Sequence, residues 1–156
     1  MKIWKRLRTE HIFLDVVLPD KDMVLHFAAD AFARDGIVRN AATLYDGMKV
    51  REGIMSTGIG DGIGIPHTSS SEAKDAAALL IRLADPIDFE ALDGLPVDVV
   101  LALVIPENEM TLHLRILAAI SRLRRNTEFC RTVRQIQDPG KLLEEIRNLE
   151  EQMAFH

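Results

Sequence analysis

The chain has 156 residues, which is the size of one ordinary domain and too short for two. Apolar residues make up 47% of it and charged residues 28%, a balance that supports a buried core and excludes a disordered chain. The 24 acidic and 19 basic residues leave a net charge of -5, which argues against a general nucleic-acid binder. The single cysteine, Cys130, excludes an internal disulfide and is typical of a reducing compartment.

Neither a targeting signal nor a membrane span is predicted. The basic N-terminus is followed by the apolar run Ile12–Leu18, which Asp15 interrupts. The longest uninterrupted apolar run, Val99–Ile105, is far shorter than the about 20 residues that a membrane helix needs. We therefore expect a cytoplasmic protein without direct membrane insertion and without a nucleic-acid partner.

The first half of the chain predicts one strand and two helices. A proline ends the strand, and Asp and Asn residues at cap positions begin the helices. Apolar residues recur at helical spacing within both helices, and glycines lie near their ends. The predicted elements are the strand Ile12–Leu18, a helix from the Asp20 cap to about Asp35, and a helix from the Asn40 cap to near Gly53.

The second half predicts two strands followed by three helices. The second of these strands is almost wholly apolar and rich in β-branched residues, which favours a strand covered on both faces. The last helix has a cap residue followed by proline, a strong start signal. Together the elements indicate an α/β domain with a covered sheet. The predicted elements are the strands Ala76–Leu83 and Val97–Ile105 and the helices Thr111–Arg125, Glu128–Ile136 and Asp138 to about Leu149.

Two polar residues lie on stripes that are otherwise apolar. Arg51 follows Met48 by three residues, on the inward side of the second predicted helix. A half-buried arginine needs an anionic partner, unless its guanidinium extends to water from the helix end. His113 lies four residues before Leu117, in the first turn of its helix, where free N–H groups favour an anion. The alternative for His113 is a hydrogen-bonded core histidine.

His67 follows Gly58–Pro66, a segment with glycine at every second position from 58 to 64. Such spacing removes side-chain cover, so we expect a histidine that is open to a partner. The segment is neither a dinucleotide fingerprint, because the third glycine is missing, nor a P-loop, because no Gly-Lys-Ser/Thr follows.

Other chemistries lack the residues that they need. The sequence has no cysteine pair and no short-spaced His/His or His/Glu helical pair for a metal. The serines at 69–71 are interpreted as a polar loop. We expect His11, His26 and His156 to be surface residues, because no pattern supports another role.

Residues 51–67 read REGIMSTGIGDGIGIPH, and this segment closely resembles the phosphorylation-site region of the fructose/mannitol-type (type 2) enzyme IIA family of the bacterial phosphotransferase system. A second signature resembles the same family: an apolar strand from Pro96 to Pro106, then His113-Leu114 at the start of a leucine-rich helix. The resemblance covers about residues 12–149. It implies one enzyme IIA domain over residues 1–156, with its core at about 12–149, and a mixed β-sheet flanked by helices on both faces.

The resemblance also implies a phosphoryl relay and hence a phosphotransferase. His67 matches the residue that accepts a phosphoryl group from an HPr-type or NPr-type phosphocarrier protein. His113 matches a second, assisting histidine, and Arg51 matches an arginine that balances phosphate charge. Imidazole suits this role, because its nitrogen is both nucleophile and leaving group. No cofactor and no metal are implied.

Two positions depart from the family pattern. Gly64 stands where alanine commonly precedes Ile-Pro-His, and we expect a mild loss of packing there. Thr68 stands where glycine commonly follows the histidine, and we expect it to narrow docking beside the acceptor. Neither change removes a reacting group.

Three functions fit the sequence, and the first is favoured. A stand-alone chain of this size resembles the nitrogen-regulatory branch, whose phosphorylation state controls target proteins. The second is an enzyme IIA subunit for fructose/mannitol-type sugar uptake, which passes its phosphoryl group to a IIB domain. The third, which Gly64 and Thr68 leave open, is an interaction module that is not phosphorylated.

Overall fold

The structure is a computed structural model that describes residues 1–154. Within these residues, a short 3-10 helix at Ile3–Arg6 is followed by six strands and five α-helices. The strands are β1 Leu7–Val16, β2 Gly58–Gly60, β3 Ile63–Gly64, β4 His67–Ser70, β5 Ala77–Ile87 and β6 Val97–Pro106. The helices are α1 Lys21–Arg34, α2 Ala41–Ile54, α3 Met110–Arg125, α4 Thr127–Gln135 and α5 Pro139–Met153.

The strands form one mixed sheet in the order β1-β5-β6-β3-β2, with β4 also paired to β6. β1 runs parallel to β5, and β5 runs antiparallel to β6. β3 and β4 follow one another along the same edge of β6, both parallel to it, with Ile63 opposite Val99 and His67 opposite Leu103. The carbonyl of Pro66 accepts a hydrogen bond from the N–H of Leu103 at 3.0 Å, so the proline stays in line with β6. This pairing places His67 beside a central strand.

Helices cover both faces of the sheet. Successive side chains of a strand point to opposite faces, so each strand contributes to two separate core clusters. In β6, Leu101 and Leu103 pack in the core cluster that includes α3, α4 and α5, whereas Val100 and Ala102 pack in the cluster that includes α1 and α2. The predicted mixed sheet with helices on both faces is confirmed. So is the prediction that the strand following Pro96 is covered on both sides.

The helix starts agree with the predicted cap residues. The side chain of Asp20 accepts a hydrogen bond from the Met23 N–H at 2.9 Å, and that of Asn40 accepts one from the Thr43 N–H at 3.1 Å. Asp138 caps α5, which begins with Pro139. Each such cap stabilises a helix by about 0.5–2 kcal/mol. None of the helices in residues 1–154 has the length and apolar character that a membrane crossing demands.

The prediction that His11 is a surface residue is wrong. His11 is 1% exposed, and its Nε2 lies 2.6 Å from a carboxylate oxygen of Asp35. The reason is that β1 begins at Leu7 and not at Ile12, so His11 is an internal strand residue packed edge-on against Phe32 of α1. His26 is partly exposed and stacks on Tyr45, and His156 lies outside the described residues.

Candidate functional site

The structure brings His67 and His113 together at one end of the sheet. His67 is the first residue of β4 and is 3% exposed. His113 lies in the first turn of α3, which packs on the same face. The two imidazole rings are edge to face, with centroids 5.2 Å apart and planes at 78°. Two neutral rings tolerate this proximity, whereas two imidazolium ions would repel each other.

The hydrogen bond of His67 fixes which ring nitrogen is available for chemistry. Nδ1 lies 2.7 Å from the carbonyl oxygen of Ile65. A carbonyl only accepts, so Nδ1 carries the proton, and Nε2 of the neutral ring keeps its lone pair. Burial lowers the pKa of His67, and the nearby charges of Arg51 and His113 lower it further. The Ile65 bond and the negative charge of Glu52 oppose that change. The balance favours a neutral nucleophile near pH 7.

His113 presents a polar atom that the protein leaves unsatisfied. Its Nε2 is buried and has no hydrogen-bond partner among residues 1–154. Burial, followed by the positive charge of Arg51, lowers the pKa of this ring too. An unpaired buried polar group costs about 1–3 kcal/mol, and in the Nε2–H tautomer this nitrogen donates to an incoming oxygen atom and recovers that energy.

Arg51 lies in the last turn of α2 and is half-buried. One guanidinium nitrogen donates to the Met55 carbonyl at 2.8 Å, and no carboxylate within residues 1–154 forms an ion pair with it. Its charge is close enough to lower the pKa of both His67 and His113. The guanidinium therefore has donors left for an anion between the two rings.

Sequence reasoning missed three residues behind His67. Glu52 is buried and accepts hydrogen bonds from the N–H and the hydroxyl of Thr57. The ammonium of Lys21 lies 3.2 Å from the same carboxylate. A signal was available, because a carboxylate in the last turn of a helix opposes the helix dipole and needs a local partner.

The glycine-rich segment does not leave His67 open, which corrects our expectation. The ring of Phe89 covers Gly64, and a Cβ there would lie 3.0 Å from that ring. Gly62 has φ of +77°, and a Cβ on it would lie 2.7 Å from both Arg134 and Asp98. The alternating glycines therefore allow close packing, and the cover comes from other parts of the chain.

Gly64 and Thr68, the two departures from the family pattern, both pack closely against neighbouring side chains or helices. The expected loss of packing at Gly64 is wrong, because the fully buried Phe89 occupies the space. The expected narrowing by Thr68 is also wrong. Its hydroxyl lies 2.8 Å from where a Cβ of Gly47 would be, so the Thr68 side chain packs on α2, on the sheet face opposite the one that His67 and α3 share.

Metal ligands are not gathered here. Within residues 1–154, no three side chains of His, Cys, Asp or Glu are grouped so as to hold a metal ion. The polar groups that converge are two imidazoles and one guanidinium, a set that suits an anion.

Comparison with known proteins places this geometry in a family. Residues 5–149 match the model of the phosphoenolpyruvate-dependent sugar phosphotransferase system, EIIA 2. The chain is 37% identical over 103 residues to a nitrogen regulatory protein of Pseudomonas aeruginosa, covering 66% of this chain and 67% of that one. It is 35% identical over 118 residues to a nitrogen regulatory protein of Bradyrhizobium diazoefficiens, covering 76% of each.

A solved structure extends the likeness to the whole fold. The nitrogen regulatory protein IIA-Ntr from Neisseria meningitidis superposes with a TM-score of 0.86 at 26% identity, over 92% of this chain and 98% of that one. The resemblance predicted from the two sequence signatures is confirmed. The chain belongs to the type 2 enzyme IIA family of the phosphoenolpyruvate-dependent sugar phosphotransferase system, and it is a phosphocarrier of that system.

Proposed function

We propose that His67 is the phosphoryl acceptor of this phosphocarrier and that it reacts through Nε2, with a regulatory output. The observation that carries the proposal is the hydrogen bond of 2.7 Å from Nδ1 to the Ile65 carbonyl. It holds the ring in the tautomer whose Nε2 is nucleophilic, beside the His113 ring, whose own Nε2 has no hydrogen-bond partner among residues 1–154.

The proposed transfer step balances without a cofactor. The Nε2 lone pair attacks the phosphorus of a phosphohistidine on the donor protein, and the bond between phosphorus and the donor nitrogen breaks. The donor imidazole leaves with that electron pair. Because Nδ1 of His67 keeps its proton, the phosphorylated ring carries a positive charge that the Ile65 carbonyl stabilises. The same charge makes the ring a good leaving group for onward transfer.

Arg51 and His113 act on the phosphoryl oxygens in this proposal. Phosphoryl transfer depends mainly on positioning and on charge stabilisation. The guanidinium donates charge-assisted hydrogen bonds, each of about 1.5–3 kcal/mol. Nε2–H of His113 donates another. His113 therefore assists, and the phosphoryl group remains on His67.

The surface around the site supports a protein donor. Exposed apolar side chains extend from the last turns of α2, where Arg51 lies, and from the first turns of α3, where His113 lies. Apolar and methionine side chains are typical of the centre of a protein interface. A small phosphate ester is too small to cover these apolar side chains, whereas an HPr-type or NPr-type phosphocarrier protein can bury them on docking. The rim consists of Val50, Ile54, Met55, Met110 and Leu114.

The regulatory output is supported by the likeness to proteins named nitrogen regulatory, so we propose target proteins whose binding depends on phosphorylation. A second candidate is sugar uptake with transfer to a IIB domain, which the description of the matching family favours. In either role we propose a phosphotransferase component that works in the cytoplasm, where the unpaired thiol of Cys130 stays reduced.

Labelling tests the proposal. The protein is incubated with phosphoenolpyruvate, enzyme I and an HPr-type or NPr-type carrier, and its intact mass is measured. We expect one added phosphoryl group in the wild type and in His26→Ala, a change at a partly exposed histidine on α1, and none in His67→Ala. No added mass with several donors would leave the unphosphorylated interaction module as the better account. Unchanged labelling of His67→Ala would remove His67 from its role.

A further inference from the structure

A buried ion pair lies behind His67, and the transfer step above does not use it. The side chain of Glu52 is 5% exposed and that of Lys21 is 15% exposed, with 3.2 Å between their charged atoms. Burial of a carboxylate costs free energy, and its place in the last turn of α2 is unfavourable to the helix dipole. Because both conditions are unfavourable to a carboxylate, we expect Glu52 to contribute to the site.

Hydrogen bonds connect Glu52 to the acceptor ring in three steps. The carboxylate accepts from the Thr57 N–H at 3.1 Å and from the Thr57 hydroxyl. The Thr57 carbonyl accepts from the Ile65 N–H at 2.9 Å. The Ile65 carbonyl accepts from Nδ1 of His67 at 2.7 Å. The path uses both the N–H and the carbonyl of Ile65. The residue whose carbonyl orients His67 is therefore held by Thr57, which Glu52 in turn binds.

Packing gives the same ion pair a second connection to this segment. The ammonium of Lys21 lies 4.9 Å from the ring centroid of Phe89. The same Phe89 ring also packs against Gly64, which precedes Ile65 in the chain. Lys21 therefore touches both the carboxylate that anchors Thr57 and the ring that backs the strand leading to His67.

We propose that Glu52, held by Lys21, is a positioning residue for phosphoryl acceptance at His67. Through Thr57 and Ile65 it keeps the imidazole in one orientation and in the Nδ1–H tautomer, with Nε2 toward the donor. This rests on the proposed function of His67. It adds an electrostatic role, because the carboxylate opposes Arg51 and stabilises the positive ring that forms when Nε2 is phosphorylated.

The electrostatic part has a defined sign. The charged and titratable groups that act on His67 are Arg51 and Glu52 from α2 and His113 from α3. Glu52 raises the pKa of His67, against the lowering by burial and by the other two groups. Removal of its charge therefore lowers the pKa of His67 further. The acid limb of the rate of phosphorylation, where the ring becomes protonated, then moves to lower pH.

The chain offers a matched control for a test by substitution. Glu150 is also a buried carboxylate, 6% exposed, and it accepts two backbone N–H bonds of 2.8 Å, from Ile3 and Trp4. It lies beside the C-terminal part of α3, whereas His113 lies in the first turn of that helix. Glu150→Gln thus removes a buried carboxylate whose hydrogen bonds go to Ile3 and Trp4, away from His67.

The experiment compares Glu52→Gln, Glu150→Gln and the wild type. Nitrogen-15 NMR of the His67 ring reports tautomer and pKa, and labelling from an HPr-type donor reports the rate. In Glu52→Gln we expect a lower His67 pKa, an acid limb shifted to lower pH and a rate reduced about tenfold to a hundredfold. Glu150→Gln is expected to keep the wild-type ring signals, pKa and rate.

Two results would overturn the proposal: a folded Glu52→Gln protein with unchanged ring signals and rate, or an equal loss in Glu150→Gln, which would indicate general destabilisation. If Glu52→Gln does not fold, Thr57→Val removes the hydroxyl bond to Glu52 but keeps the carboxylate charge, so it is held to the positioning outcome alone, altered His67 ring signals and a lower rate of phosphorylation. Absence of labelling in the wild type would end the proposed function, while the tautomer and pKa of His67 would still decide the positioning role of Glu52.

Discussion

At the scale of single residues, His67 is governed by two opposing sets of groups. Burial, Arg51 and His113 favour the neutral ring, whereas the Ile65 carbonyl and Glu52 favour the protonated ring. A phosphoryl acceptor has to be neutral before the reaction and positively charged after it. Groups of both kinds around one imidazole meet these two demands.

For Arg51 we predict that the form of the cation matters as well as its charge. Lysine keeps the charge but loses the planar fork of donors, so Arg51→Lys is expected to retain part of the phosphorylation rate. Arg51→Gln is expected to lose most of it. Both should fold, because Arg51 is at the end of α2 and only half-buried. Rates measured in parallel decide the question, and three equal rates would exclude Arg51 from phosphate binding.

His113→Ala is expected to be phosphorylated still, but more slowly, because the variant lacks one donor to the phosphoryl oxygens. The loss of a charge-assisted bond of about 1.5–3 kcal/mol corresponds to a rate lower by about tenfold to a hundredfold. Quenched-flow labelling with intact-mass detection measures it. Abolished labelling in a folded His113→Ala protein, together with normal labelling of His67→Ala, would reverse the two roles.

At the scale of elements, the predictable parts were those with a local signal. The caps Asp20, Asn40 and Asp138 were predicted from residue type and position alone. β4 was not, because His-Thr-Ser-Ser has no apolar alternation and becomes a strand only through pairing with β6. His113 and Arg51 stood out against apolar stripes, and His67 stood out after the alternating glycines. For Glu52 the sequence signal was only its unfavourable place at a helix end, because its partner Lys21 is 31 residues away.

The packing of the glycine segment gives a test at this scale. Gly64→Ala restores the common family residue, yet its Cβ would lie 3.0–3.3 Å from three atoms of the Phe89 ring. We expect a loss of about 1–3 kcal/mol in the free energy of unfolding, as for other overpacked cores. Gly53→Ala is the control, because, its chain neighbours and own helix backbone aside, no atom of residues 1–154 would lie within 4 Å of its Cβ, and alanine favours the helix by up to about 1 kcal/mol. Urea unfolding compares them, and a stabilised Gly64→Ala protein would contradict the packing described.

At the scale of the whole molecule, the sheet brings together groups that are distant in sequence. α2 lies on one face and supplies Arg51, while α3 lies on the other face and supplies His113. β4 ends this part of the sheet with His67 between them. The apolar rim follows from the same arrangement, because the ends of both helices surround the histidine.

The rim predicts an effect on donor binding without an effect on the acceptor. Leu114 is 62% exposed in the first turns of α3, and Leu114→Asp places a charge where the donor would dock. We expect a higher KM for the phosphorylated donor with little change in the rate at saturation. Val17→Asp is the control, since Val17 is 75% exposed next to the outer strand β1. Equal KM values for the two variants would show that the rim takes no part in docking.

The central claim is that Nε2 of His67 carries the phosphoryl group while Nδ1 keeps its proton. Phosphorus-31 and nitrogen-15 NMR of the phosphorylated, isotope-labelled protein tests it most directly. We predict a phosphorus coupling to Nε2 of His67 and a proton still bound to Nδ1, held by the Ile65 carbonyl. A phosphorus coupling to Nδ1 of His67, or to a ring nitrogen of His113, would contradict the account.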